Sequence, residues 1–218
     1  MNNNDVNEKA KAHTRYFGLD GEQKPGVTTV LGVLNKPFLI PWANKLGLQG
    51  IDSTKYRDAM GGIGTLTHQM IMDHLTRLKT DTGQYSKQDI GMAENCFLSY
   101  LEWEKTHPIK PILVEKPLVS DIYGYGGTPD CIAYDGDNLE LIDFKTGKAI
   151  YPEMFYQVAA YIQLAKEHDY NVNSARILRI GRDDNEGFEE RLTKKWDKEF
   201  EVFKHCLAIY QLQKELKR

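Results

Sequence analysis

With 218 residues, 41% of them hydrophobic and 27% charged, the chain can bury one sizeable core, and it contains no apolar run long enough to span a bilayer. A formal net charge of −3 is not the basic footprint of a protein that grips long duplex nucleic acid nonspecifically. Three cysteines, Cys96, Cys131 and Cys206, lie far apart and are odd in number, which argues against a disulfide framework and for a reducing, cytoplasmic setting.

Residues 1–14 are polar and read as a disordered tail, neither secretory signal nor transit peptide, leaving a single domain over 15–218 with a helical amino-terminal part and a long carboxy-terminal helix. Thr28 opens a short helical segment, and Pro41 fits the first turn of another. Helices are expected over about 65–78 and 87–105. In the first of these, His68 shares a face with Ile71, Met72 and Leu75, at spacings of three, four and seven. A lone histidine on an apolar face is ordinarily a hydrogen-bonded core residue. His13 and His74 read as solvated or packing residues.

Strands are expected over about 111–120, 123–134 and 138–145, then a helix over 152–168 and a strand over 176–180. A last helix carries Trp196, Phe200, Phe203, Leu207 and Tyr210 at alternating spacings of four and three, a core-packing stripe. The fold class is therefore α/β (α+β), a small central mixed sheet flanked by helices.

Cys131-Ile132-Ala133-Tyr134 and Leu139-Glu140-Leu141-Ile142 flank the turn-rich Asp135-Gly136-Asp137-Asn138, a β-hairpin signal. A two-residue turn at Gly136-Asp137 pairs Asp135 with Asn138 and, counting back, sets Asp130 opposite Asp143. Strand alternation puts Lys145 beside Asp143 and turns Phe144 the other way. Two carboxylates ~4 Å apart repel by roughly 4 kcal/mol at an effective dielectric near 20, so positive charge should compensate them. Lys145 supplies one charge, and a hard divalent cation fits the geometry better. A salt-bridged hairpin without chemistry is the other reading, since Asp, Lys and Gly are common near turns. On the following helix Gln157 and Tyr161 form an i, i+4 pair turned toward the carboxylates, or else an interfacial tyrosine with a capping glutamine.

Pro129-Asp130, Asp143-Phe144-Lys145 and Gln157-x-x-x-Tyr161 resemble the PD-(D/E)xK nuclease superfamily, specifically its RecB-like exonuclease branch. Gly61-Gly62-Ile63-Gly64-Thr65-Leu66-Thr67-His68 resembles the branch's glycine-rich approach to a histidine. Tyr16, Pro25-Gly26-Val27-Thr28-Thr29-Val30-Leu31 and Trp42 resemble the amino-terminal part of phage and mitochondrial genome maintenance exonucleases, for a coverage of roughly residues 15 to 180.

The resemblance implies a restriction-endonuclease-like core and metal-dependent hydrolysis of phosphodiester bonds in DNA. Exonuclease action on single-stranded or frayed ends is expected; phage replication or recombination, defence and DNA repair all use such modules. It also implies one or two Mg²⁺ ions, replaceable by Mn²⁺, on Asp130, Asp143 and the backbone carbonyl of Phe144, with His68 completing the shell. Lys145 would orient the attacking water, and a lysine beside two carboxylates should stay charged, which suits positioning better than base catalysis. Gln157 and Tyr161 are the branch's own mark. Glu115 either holds a second ion, directly or through water, or pairs with Lys116 or Lys110. Relatives with an iron–sulfur cluster use four cysteines; with three, and no Cys-x-x-Cys pair, no cluster is expected. The alternative is a noncatalytic nucleic-acid or partner-binding module on the same fold, which would be expected to lose at least one charged site residue.

For the nucleic acid, Lys36, Lys45, Lys55 and Arg57 in the helical half and Arg176, Arg179 and Arg182 near the late strand suggest a cationic channel, each being otherwise a solvated charge. Tyr16, Phe17, Phe38 and Trp42 could stack unpaired bases. Neither Gly124-Tyr125-Gly126-Gly127 nor Lys145-Thr146-Gly147-Lys148 has the context of a phosphate-binding loop. Their glycines read as points of close strand approach, with Gly147 ending a strand.

Overall fold

A computed structural model of the protein describes residues 14–183 and 185–217. The expected tail, apart from its last residue, and His13 lie outside the described residues. A five-stranded mixed sheet in the order β3-β6-β7-β8-β9 forms the centre, from β3 (Lys110–Val114), β6 (Cys131–Asp135), β7 (Asn138–Thr146), β8 (Ser174–Ile180) and β9 (Phe188–Thr193). β7 and β8 are parallel and the other pairs antiparallel. The parallel pair needs a crossover, supplied by α5 (Pro152–Glu167).

Strand alternation sends the two faces of the sheet into two apolar layers. Cys131, Ala133, Ile142, Phe144 and Leu178 pack with Ile71 and Met72 of α3 (Ser53–Thr76) and with Cys96, Tyr100 and Trp103 of α4 (Lys87–Glu104). Ile132, Leu139, Leu141, Ala175 and Ile177 face α5, α1 (Val27–Leu31) and α6 (Asp197–Leu216), through Val158, Leu164, Val30, Phe203 and Leu207. The three cysteines are buried and free.

Two ribbons complete the described fold, β1 (Tyr16–Phe17) with β2 (Gln23–Lys24) and β4 (Leu118–Ser120) with β5 (Tyr125–Gly127). Each strand expected over 111–120 and 123–134 is thus two. The second breaks at Thr128-Pro129-Asp130, where Pro129 has no N–H to give a ladder. The first breaks after Val114, and the next residue, Glu115, takes φ 44°. β9 was not expected, because Phe188-Glu189-Glu190-Arg191-Leu192-Thr193 is largely charged, as an edge strand can be.

The glycine-rich run before His68 is helix, not an approach to one. Asp52 accepts hydrogen bonds from the Thr54 and Lys55 N–H groups and starts α3 twelve residues upstream of the expected position at 65. Interior glycines cost a helix about 1 kcal/mol each. Gly64 is required nonetheless, since a Cβ there would sit 2.7 Å from Thr146 Oγ1 at the end of β7. α2 (Leu39–Leu48) carries Pro41 in its first turn and has no buried residue.

Candidate active site

The β6–β7 hairpin runs in register from Asp135↔Asn138 to Cys131↔Ile142, and one further step brings Asp130 opposite Asp143. Gly136 takes φ 60° in the turn, a left-handed value that glycine adopts without strain. Asp130 is anchored from two sides. Its Oδ2 accepts the Phe144 N–H at 2.8 Å, and its carbonyl accepts the Glu115 N–H at 3.0 Å. His68, reaching in from α3, places Nδ1 3.8 Å from Asp130 Oδ1.

Asp143 is wholly buried, with Lys145 Nζ 2.5 Å from its Oδ2. That contact is an ion pair; neither Asp143 oxygen accepts a well-directed hydrogen bond. Desolvation pushes the Asp143 carboxyl up to about 6, with Lys145 opposing the rise and Asp130 adding to it. For Lys145, burial disfavours the ammonium, but the attraction of Asp143 and Asp130 outweighs it and the pKa is raised. Lys145 is therefore held charged.

Tyr161 lies buried behind the carboxylates, its hydroxyl accepting a 2.8 Å hydrogen bond from Gln157 Nε2. Burial first, and then the nearby Asp143 carboxylate, raise its pKa well above the ordinary value and keep the phenol protonated. Gly127 is pressed against this ring: a Cβ there would meet Tyr161 Cε1 at 2.6 Å. Glu115 is exposed as a residue, but it lines the cleft, and desolvation followed by Asp130 and Asp73 raises its carboxyl pKa.

A cleft of about 850 Å³ opens at His68 and Glu115, walled also by Thr128, Tyr16, Arg15 and Tyr210 among others; Asp130, Asp143, Lys145, Gln157 and Tyr161 stand outside its wall. Tyr16 is fixed there by its hydroxyl, 3.0 Å from Thr128 Oγ1, and by Gly126, where any Cβ would overlap its ring. Sequence reasoning missed Arg15, which carries no local signal, and gave no role to Thr128, although it stands in the run Gly127-Thr128-Pro129-Asp130 beside the first carboxylate. It placed Tyr210 in the core; the stripe is buried at Phe203 and Leu207 but reaches the cleft wall at Tyr210.

The expected cationic residues are placed differently. Lys36 pairs with Glu153 at 3.2 Å, Arg57 pairs with Asp58 at 2.7 Å, Trp42 tilts against Tyr56, and Lys45 is exposed on α2. None of these four lines the cleft. Arg179 is buried, donating to the Glu186 carbonyl at 2.6 Å and the Gly147 carbonyl at 3.2 Å, with Glu189 3.4 Å away. Arg176 is taken up by Glu140, Glu190 and Asp135, and Arg182 by Glu186. The channel expected from these three arginines is not formed, because each guanidinium is spent on partners inside the fold.

The donor set suits a hard cation. Two facing carboxylates, one of them buried with Oδ1 unpartnered, leave negative charge that one ammonium does not satisfy. Among the described residues no three His, Cys, Asp or Glu side chains converge as a ligand cluster. Mg²⁺ is commonly held by only one or two carboxylates with several waters, so Asp130, Asp143 and the Phe144 carbonyl fit it.

No protein-family model matches the chain, and no curated protein does. Among solved structures it is similar to the alkaline exonuclease LHK-Exo from Laribacter hongkongensis, with 14% identity, a TM-score of 0.41, and coverage of 69% of this chain and 78% of that one. The dAMP complex of LHK-Exo gives a TM-score of 0.42 at the same identity and coverage. A presumed exonuclease from Eubacterium rectale gives 0.44 at 10% identity, over 69% of this chain and 65% of that one. Likenesses of this size assign no activity to the chain. No helix among the described residues is long and apolar enough to cross a membrane.

Proposed function

We propose that the protein is a divalent-metal-dependent deoxyribonuclease that hydrolyses phosphodiester bonds, working as an exonuclease on single-stranded or frayed DNA ends. The observation that carries this reading is the buried Asp143 carboxylate, facing Asp130, with its Oδ2 paired to a charged Lys145 and its Oδ1 without a partner.

Mg²⁺, or Mn²⁺ in its place, would be held by Asp130, Asp143 and the Phe144 carbonyl, and when bound would acidify a water and neutralise charge on the phosphate. The remaining work falls to the chain. The Phe144 N–H fixes one oxygen of Asp130, and His68 stands at the other. Lys145, charged and next to Asp143, orients the attacking water and stabilises negative charge developing on the phosphoryl oxygens. Tyr161, protonated and steadied by Gln157, holds the buried side of the site against water. Glu115 presents its carboxylate from the cleft side, as a ligand or as a holder of ligated water. Tyr16 supplies an aromatic wall for an unpaired base, which supports the single-strand preference.

The test is incubation with end-labelled single-stranded and duplex DNA in Mg²⁺, Mn²⁺ or EDTA, beside Asp143→Ala. Metal-dependent loss of DNA, absent from the variant, is expected, and the product ladder separates release from an end from internal cutting. DNA left intact in every lane by folded protein refutes the assignment.

A further inference from the structure

A second cavity, of about 400 Å³, lies where the carboxy-terminal half of α5, the turn into β8, the turn out of β9 and the start of α6 meet. It shares no lining residue with the cleft at His68 and Glu115. β7 and β8 are parallel with Glu140 paired to Ser174, so this cavity sits at the amino end of the pair, whereas Asp143 and Lys145 occupy the carboxyl end of β7.

Its charge is unlike that of the rest of the molecule. Lys166, Lys194 and Lys195 line it against one carboxylate, Asp197, in a chain whose net charge is −3. Among the described residues none of the three lysines has an ion-pair partner, whereas the arginines of β8 are all engaged. Three ammonium groups close to one concavity repel one another unless an anion or solvent lies between them.

The wall is aromatic. Trp196 and Tyr170 line the cavity half-buried, each backed by the apolar core. Phe200, also in the wall, already has Tyr123 edge-on at 5.3 Å and Phe203 stacked at 6.1 Å. Among the described residues no aromatic ring is stacked on Trp196 or Tyr170, and each remains partly exposed where it lines the cavity. Trp196 also stands at the start of α6 without a side-chain cap to it, and Asp197 and Glu199 occupy that first turn.

Ammonium groups beside a partly exposed indole complement a phosphate joined to a flat heteroaromatic ring, and the volume lies within the usual ~300–1,000 Å³ of small-ligand sites. We infer that this cavity binds a nucleotide, with the phosphate on Lys166, Lys194 and Lys195 and the base against Trp196. The nucleotide is either a free mononucleotide or one unit of a strand held away from the carboxylates. The inference does not depend on the nuclease reading.

The test titrates the full chain with dGMP, following tryptophan fluorescence and equilibrium dialysis, with inorganic phosphate and octathymidylate as further probes. Saturable dGMP binding is expected in the native protein and equally in Asp143→Ala. In the Lys194→Ala, Lys195→Ala double variant, whose exposed positions leave the melting curve unchanged, affinity should fall about tenfold or more, as for lost charge-assisted bonds. In Trp196→Phe the fluorescence change should vanish. Octathymidylate binding that is tighter than dGMP and depends on the same lysines identifies a strand, and weaker binding a free nucleotide. Undiminished dGMP binding in the double variant, or phosphate competing as strongly as dGMP, overturns the inference. Failure of DNA cleavage in the separate assay leaves these outcomes untouched, so the two proposals fail independently.

Discussion

Replacing Asp143 with asparagine should stabilise the metal-free protein at neutral pH while abolishing the proposed cleavage. The carboxyl is wholly buried and its pKa stands at about 6 against an ordinary 3.8. The folded state therefore holds this proton through a window in which the unfolded chain has released it. The stability tied to the neutral carboxyl is complete below about pH 4 and is lost as pH rises through about 6. Above that window the buried anion costs about 3 kcal/mol, at 1.36 kcal/mol for each unit of displacement. Asparagine removes the charge at nearly constant shape but also takes from Lys145 the nearer of the two carboxylates that hold it charged, leaving Asp130, and this offsets part of the gain. In EDTA at pH 8 the variant should melt higher, by less than the roughly 6–12 °C that the whole cost would give at about 2–4 °C per kcal/mol for a chain of this size. The gain should vanish near pH 4. Calorimetry at both pH values decides it. A variant that melts below the native protein at pH 8 would show that the carboxylate is satisfied in the fold, and the case for a missing cation would go with it.

Lys145→Ala should abolish cleavage yet still bind Mg²⁺ by titration calorimetry, because the lysine stands beside the carboxylates and is not a ligand; loss of Mg²⁺ binding contradicts the positioning role. Glu115→Gly should raise stability by about 1 kcal/mol by relieving φ 44°, as measured by urea unfolding, while lowering activity. No stability gain would mean that the lost side-chain contacts and the greater unfolded-chain freedom of glycine outweigh the strain. Gly127→Ala should cost about 1–3 kcal/mol, because its Cβ would meet Tyr161 Cε1 at 2.6 Å and Leu164 Cδ1 at 3.0 Å; an unchanged melting temperature refutes the close packing. Arg176→Met should cost about 3–5 kcal/mol by leaving the buried Glu140 unpaired, with DNA affinity per folded molecule unchanged. Weakened DNA binding with full stability would restore a role for this arginine in a cationic channel.

The hairpin was legible because everything that defines it is local. Alternating residues on either side of Asp135-Gly136-Asp137-Asn138 set the register, and the register alone carries Asp130 to Asp143 and Lys145 to the same face. The i, i+4 spacing of Gln157 and Tyr161 is equally local, and the hydrogen bond between them follows from helix geometry. The errors arose where a residue's local preference was overruled from a distance. Gly61, Gly62 and Gly64 disfavour helix by propensity, yet α3 runs through them, capped at Asp52 and pressed at Gly64 onto Thr146. The arginines of β8 read as free cations because their partners, such as Glu140 for Arg176 and Glu189 for Arg179, come from neighbouring strands.

By itself the sequence determined the chemistry available at the hairpin: two facing carboxylates and an adjacent lysine, held by a turn that glycine permits. The tertiary structure decided what surrounds them. Only packing could bring Arg15 and Tyr210, from opposite ends of the chain, to one cleft wall, and only packing could bury Asp143 until Lys145 was its one partner. Desolvation and close approach depend on which segments meet across the fold, and residue spacing along the chain carries that information only within a single element.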